Sequence, residues 1–262
     1  MNLESICKQV EKISRKTREF ILYERKKFSA EHVERKGHND LVSYVDKEAE
    51  KRIVEGLRKL IPEAGFYAEE SKNDRQKQGL FWVIDPLDGT TNFIHGLPCF
   101  CISIALMNDS EILIGLVHEL NFDECFYAWK DGGAFMNDNS ICVSQALTLK
   151  DSLLATGFPY ADYSRMKEYM EVFDYFMRNT HGLRRLGSAA ADLAYLACGR
   201  FEAFYEYGLN AWDVAAGALI VKEAGGKVSD FSGSDNFVFG KEIIAANSNV
   251  FDETLEVIRK RF

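Results

Sequence analysis

WVIDPLDGTTNF, residues 82–93, sets two carboxylates three apart, Asp85 and Asp88, directly after an apolar run. Residues 80–84, LFWVI, are continuously apolar between polar neighbours, which predicts a buried strand. Pro86 has no N–H to donate and a fixed φ, so the strand ladder is expected to stop there. The turn that follows can bring both carboxylates and the Leu87 carbonyl to one side. Hard cations such as Mg²⁺ take oxygen ligands of that kind and leave room for phosphate and water. Gly89 permits close approach of backbone to a ligand, and Thr90 and Thr91 can cap a following helix. A helix N-terminus offers free N–H groups to an anion. Asp, Pro and Gly also make ordinary polar turns after core strands, so the stretch alone leaves both readings open.

Working outward, the N-terminal side reads as helical. Leu3, Ile6, Val10, Ile13, Thr17 and Phe20 recur at helical spacing and form one apolar stripe. The polar stretch 32–40, HVERKGHND, predicts a mobile loop. A second helix starts near Asp46, carries Ala49, Ile53, Leu57 and Leu60, and ends at Pro62. Strands at 66–68 and 80–84 flank a charged loop, 71–79. From Cys99 to Trp129 the pattern is β, with Cys99 and Cys101 alternating with Phe100 in one strand and turn signals at Asn108-Asp109 and Gly132-Gly133. Beyond about 140, apolar runs at 153–156, 203–205 and 242–246 predict strands among helices near 163–178, 188–198, 211–224 and 251–261. No repeat or linker is present. The reading is an α+β chain with an N-terminal half, 1–145, packed closely on a C-terminal α/β half, 146–262.

The 262 residues, 47% of them hydrophobic, suffice for a sizeable core. A formal charge of −8 argues against binding nucleic acid or an anionic membrane. An acidic chain also repels a phosphorylated substrate, unless bound divalent cations invert the local field. The N-terminus is amphipathic and charged, without the apolar core of a signal peptide, and no stretch approaches the roughly 20 apolar residues of a membrane span. A soluble, cytoplasmic protein is expected. Six cysteines without a CxxC motif predict reduced core thiols.

More acidic residues bear on the opening stretch. Glu69-Glu70 follow the apolar GFYA, so they end a strand; a solvated acidic turn is the simpler reading of such a pair taken alone. Asp213 opens the apolar run AWDVAAGALIVKEAGG, where it serves either as a charge favoured at a helix start or as a buried, paired group. Glu206 ends the aromatic FEAFYEYG and is ambiguous by itself. Gly187-Ser188-Ala189 mark a helix start, read first as a cap and second as an anion-facing end.

Taken together, AEES, WVIDPLDGTTNF, LRRLGSAA, AWDVAAGALIVKEAGG and IIAANSNV make the whole chain resemble the inositol monophosphatase family. The resemblance implies a layered αβαβα sandwich, usually homodimeric. It also implies a Mg²⁺-dependent phosphatase that hydrolyses phosphate monoesters by direct attack of a metal-activated water. By position, Glu69, Asp85 and the Leu87 carbonyl would hold one metal, and Asp85, Asp88 and Asp213 a second. Glu69 would share a third, weaker site near 32–40, giving two to three Mg²⁺ per site. Thr90 paired with Asp46 would orient and deprotonate the water, with Glu70 close by and Lys36 near the metals. Gly89 and Thr90 would offer amides to the phosphate. Gly187, Ser188, Ala189, Glu206 and Asp213 would line the substrate side. The substrate would be a small phosphorylated polyol or sugar, with inositol 1-phosphate ahead of fructose 1,6-bisphosphate, histidinol phosphate and 3′-phosphonucleotides. Glu206 favours a polyol because a carboxylate accepts hydrogen bonds from ring hydroxyls. Asn210 departs from the histidine of animal relatives, which weakens transfer of their substrate contacts. Arg184 and Arg185 remain open between substrate, subunit interface and structural pairing. Sensitivity to lithium is a further implication, and a catalytically idle binding protein is the reading from another class.

Overall fold

The computed structural model describes residues 1–28, 33–35, 41–71, 79–159 and 162–262. The N-terminal stripe becomes helix α1 (Leu3–Arg25), capped by Asn2, whose side chain accepts from the Ser5 N–H at 3.0 Å. Strands β1 (Val33–Arg35) and β2 (Leu41–Ser43) pair antiparallel just before α2 (Tyr44–Leu60). Three residues of the predicted 32–40 loop therefore lie in a strand, and the rest of that loop, Lys36 included, is outside the described residues.

A seven-stranded sheet follows in the spatial order β3 (Gly65–Ala68), β4 (Leu80–Asp88), β5 (Cys101–Asn108), β6 (Glu111–Glu119), β7 (Glu124–Trp129), β8 (Ala134–Met136) and β9 (Asn139–Ile141). Helix α3 (Thr90–His95) lies between β4 and β5 in the chain. Neighbours are antiparallel except the parallel β3–β4 pair. The second half runs β10 (Leu153–Thr156), α4 (Met166–Asn179), β11 (Gly182–Arg184), α5 (Ala189–Ala197), β12 (Ala203–Tyr207), α6 (Ala211–Glu223), β13 (Lys227–Ser229), β14 (Glu242–Ala246) and α7 (Phe251–Arg259). Its strands form a mixed sheet in the order β11-β10-β12-β14-β13.

Alternation along the strands produces the layers. Trp82 and Ile84 of β4 pack with Val10 of α1 and Ile53 and Leu57 of α2. Phe81 and Val83 face the other way, toward Leu193 of α5 and Ile220 of α6. In the second sheet Phe204 and Ile243 join α5 and α6, while Tyr205 and Ile244 join Phe176 of α4 and Ile258 of α7. Strands covered on both faces read as continuous apolar runs, which is why 80–84 shows no polar alternation. The outcome is the αβαβα sandwich. Helices α5 and α6 fill its middle and are apolar nearly all round, because sheet covers them on two sides. β6 and α6 approach so closely that a Cβ on Gly115 would lie 2.5 Å from the Ala216 carbonyl oxygen.

Helix α1 is tied to the sheet through a polar chain: Ser14 Oγ lies 2.9 Å from His118 Nδ1, and His118 Nε2 lies 2.9 Å from Asp123 Oδ1. Ser14 is fully buried, so this is a structural contact rather than a nucleophilic triad. Burial pushes the His118 pKa down to about 4, against the pull of Asp123. All six cysteines are free, with Cys7, Cys99, Cys101 and Cys125 buried and Cys142 exposed. Cys99 is not in a strand as predicted; its φ is 72° and β5 begins at Cys101. Among the described residues, no helix is long and apolar enough to cross a membrane.

Candidate active site

In a regular strand, residues three apart point to opposite faces, so Asp85 and Asp88 would diverge. Pairing with β5 prevents that. Asp85 stands opposite Ser103 and Asp88 opposite Cys101, so three steps on β4 match two on β5. The extra residue is a bulge, a place where a proline costs no ladder bond. The strand therefore does not stop at Pro86, as the sequence predicts, but runs on to Asp88. The bulge returns Asp88 to the side of Asp85, and the Leu87 N–H donates to Asp85 Oδ1 at 2.9 Å. Asp213, in the first turn of α6, meets them from the other half of the chain. One carboxylate oxygen from each of Asp85, Asp88 and Asp213 lies within 4.8 Å of the others. Asp213 is held by the Asn210 N–H, which donates to its Oδ2 at 2.7 Å.

The start of α5 completes the frame. Ser188 Oγ and the Ala190 N–H donate to Asp88 Oδ2 at 2.7 and 2.8 Å, while the Ser188 oxygen accepts from the Ala191 N–H at 3.2 Å. Gly187-Ser188-Ala189 is thus both a cap and an anion-facing end, and the anion is Asp88. Glu69 follows β3 and lies outside the 4.8 Å trio, but lines the same cavity.

These acids strain one another. Burial first, then the charges of Glu69, Asp88 and Asp213, lift the Asp85 pKa well above the carboxylate range. Asp213 is lifted by burial and then by Asp88. Asp88 is raised by burial, although the Ala190 and Ser188 hydrogen bonds oppose it. Converging carboxylates of this kind match the oxygen donor set that a hard divalent cation takes, and its charge would remove the repulsion. The residues present fit such an ion.

Next to the acids, the Thr90 hydroxyl lies 3.0 Å from both Asp46 Oδ1 and the Leu87 carbonyl oxygen. Asp46 is 1% exposed, and its other oxygen accepts from the N–H and hydroxyl of Ser43 at 2.9 and 2.6 Å. Burial raises its pKa despite those bonds. Gly89 has φ 94° and caps α3; a Cβ there would lie 2.8 Å from the Cys99 carbonyl oxygen. Thr90 and Thr91 are not caps but the first residues of the helix. Glu70 does not line the cavity; its N–H donates to Glu50 Oε2 at 2.8 Å.

Residues 2–261 match the model of the inositol monophosphatase family. The chain belongs to the inositol monophosphatase family. It is 41% identical over 235 residues to a Thermotoga maritima protein named fructose-1,6-bisphosphatase/inositol-1-monophosphatase, covering 88% of this chain and 87% of that one. It is 42% identical over 224 residues to a Neisseria meningitidis protein named putative Nus factor SuhB, covering 85% and 86%. The solved structure of the Bartonella henselae extragenic suppressor protein suhB superimposes with a TM-score of 0.91 at 36% identity, covering 98% of this chain and all of that one.

The family fold leaves a cavity of about 670 Å³ between the acids and a second wall. Gly187, Ser188, Ala189 and Glu206 line it. Of the two arginines, Arg185 faces the cavity and Arg184 is exposed. Burial raises the Glu206 pKa to about 8 while Arg185 opposes it. A Cβ on Gly157 would lie 2.0 Å from Glu206 Oε2, so the segment after β10 is moulded to that carboxyl. The sequence reading missed Asp192, Arg165, Lys241 and Phe158, which also line the cavity. Asp192 alone carried a signal, as the single charge in the apolar run AAADLAYLA.

Proposed function

We propose that this chain is a Mg²⁺-dependent phosphate monoester hydrolase acting on a small phosphorylated polyol, with inositol 1-phosphate as the preferred substrate. The observation that carries this reading is the convergence of Asp85, Asp88 and Asp213 within 4.8 Å, on the cavity that Thr90 also lines. Asp85, Glu69 and the Leu87 carbonyl would hold one Mg²⁺, and Asp85, Asp88 and Asp213 a second; a third, weaker site would include Glu69. Bound there, Mg²⁺ neutralises charge on the phosphate and makes water more acidic. The Thr90 hydroxyl donates to Asp46, which leaves its lone pairs to accept a hydrogen from the attacking water. Asp46 then holds the proton, a role that suits its raised pKa. Gly89 and Thr90 amides orient the phosphate, and Glu206 accepts from hydroxyls of the alcohol.

The Thermotoga relative's name supports both inositol 1-phosphate and fructose 1,6-bisphosphate as substrate chemistries. The Neisseria relative's name, putative Nus factor, attaches a second reading, a role other than phosphate release. The intact trio and the Thr90–Asp46 pair favour catalysis. On the resemblance the working unit is a homodimer, and six free thiols, four of them buried, suit the cytoplasm. A kinetic panel of inositol 1-phosphate, fructose 1,6-bisphosphate, histidinol phosphate and 3′-phosphoadenosine 5′-phosphate tests the substrate. Inositol 1-phosphate is expected to give the highest kcat/KM, and a wide margin for the nucleotide would refute the choice.

A further inference from the structure

We propose that Asp192 forms, with Glu206, a paired carboxyl wall that hydrogen-bonds hydroxyls of the substrate's alcohol and selects polyol phosphates over esters without hydroxyls. The proposal rests on the phosphatase reading above and assigns that site a further specificity residue.

Asp192 is 1% exposed, lines the cavity, and its Oδ1 is buried with no hydrogen-bond partner. Buried polar groups are ordinarily satisfied, so an orphaned carboxylate oxygen on a cavity wall calls for a ligand. Helix capping does not account for it. The Ala190 and Ala191 N–H groups are taken by Asp88 and Ser188, and Asp192's own N–H donates to the Ser188 carbonyl at 3.0 Å. Core packing does not call for it either, since the other eight residues of α5 are apolar or tyrosine. After burial, the strongest influence on Asp192 is the charge of Glu206, followed by Asp88, with Arg185 acting in the opposite sense. Arg185 acts on Glu206 in that sense too, so the two acids share one cationic neighbour. Each hydroxyl of a polyol both donates and accepts, and two carboxyls lining one cavity can meet two of them. An ester of a simple phenol offers no such groups.

Asp192→Ala tests this, because alanine suits the already alanine-rich α5 and removes the buried carboxyl. Steady-state rates with Mg²⁺ are compared on inositol 1-phosphate, fructose 1,6-bisphosphate and p-nitrophenyl phosphate. The variant is expected to lose about tenfold or more in kcat/KM on the better hydroxyl-bearing substrate, mainly through KM. On p-nitrophenyl phosphate the loss should be severalfold smaller, with an undiminished Tm. Asp192→Asn should recover part of the loss. An equal fall on all esters would assign Asp192 a structural role, and no fall on any would mean no contact; either overturns the proposal. Wild-type protein that hydrolyses none of the three would overturn the phosphatase reading and the proposal with it.

Discussion

Asp88→Asn separates electrostatic cost from function at the carboxylate trio. At an effective dielectric of about 20, unit charges 4.8 Å apart repel by roughly 3 kcal/mol. The acids relieve part of that by taking up protons, which leaves about 1–2 kcal/mol to be recovered when Asp88 loses its charge. Asparagine keeps an oxygen for Ser188 Oγ and the Ala190 N–H, so the frame from α5 survives. For a chain of 262 residues, that gain raises Tm by about 2–4 °C without metal. With Mg²⁺ at about 100 times its Kd, wild type should gain roughly 2.7 kcal/mol from binding, and the variant less than about half of it. Phosphate release should fall by about 10²–10³-fold, the scale set by removing one charge-stabilising group. Thermal unfolding in EDTA and across a Mg²⁺ titration, paired with a phosphate assay, reads all three. A variant less stable than wild type in EDTA, yet with the full Mg²⁺ shift, would refute the reasoning.

Three other outcomes follow from the geometry. Thr90→Ala should lower kcat by about 10²-fold with KM nearly unchanged, and Thr90→Ser should restore most of it, because only the hydroxyl bonds Asp46; steady-state kinetics decides. Gly115→Ala should destabilise the fold by about 3 kcal/mol in denaturant unfolding, since its Cβ meets a backbone oxygen that cannot rotate away. His118 has a depressed folded pKa, about 4 against 6.5. Its unfolded form therefore binds the proton first, so stability is complete above pH 6.5 and falls by roughly 3 kcal/mol as pH drops toward 4. Unfolding across that window should show the slope, and His118→Gln should flatten it.

The layers were legible because local patterns encode them: the stripe of α1, the doubly buried run before Asp85 and the apolar helices at 188–198 and 211–224 all form near the predicted places. Ends were less legible, with α4 starting at Met166 rather than near 163 and α7 stopping at Arg259. Strands β11 and β13 are three residues each and gave no periodicity to read. The bulge was hidden for another reason. Whether Pro86 ends a strand or sits in a bulge depends on the register of β5, which lies beyond α3 in the chain. In the site, Asp85, Asp88 and Asp213 could be named from their motifs. Arg165 and Lys241 could not, because only packing of α4 and the segment before β14 brings them to the cavity.

On the proposed function, the acidic trio becomes catalytic when filled by a divalent cation. Phosphate release from inositol 1-phosphate, measured in EDTA and then with increasing Mg²⁺, tests it most directly. No turnover in EDTA and saturable activation by Mg²⁺ are expected in wild type, with activation lost in Asp88→Asn. Turnover that is indifferent to EDTA, or an Asp88→Asn protein fully activated by Mg²⁺, would contradict it.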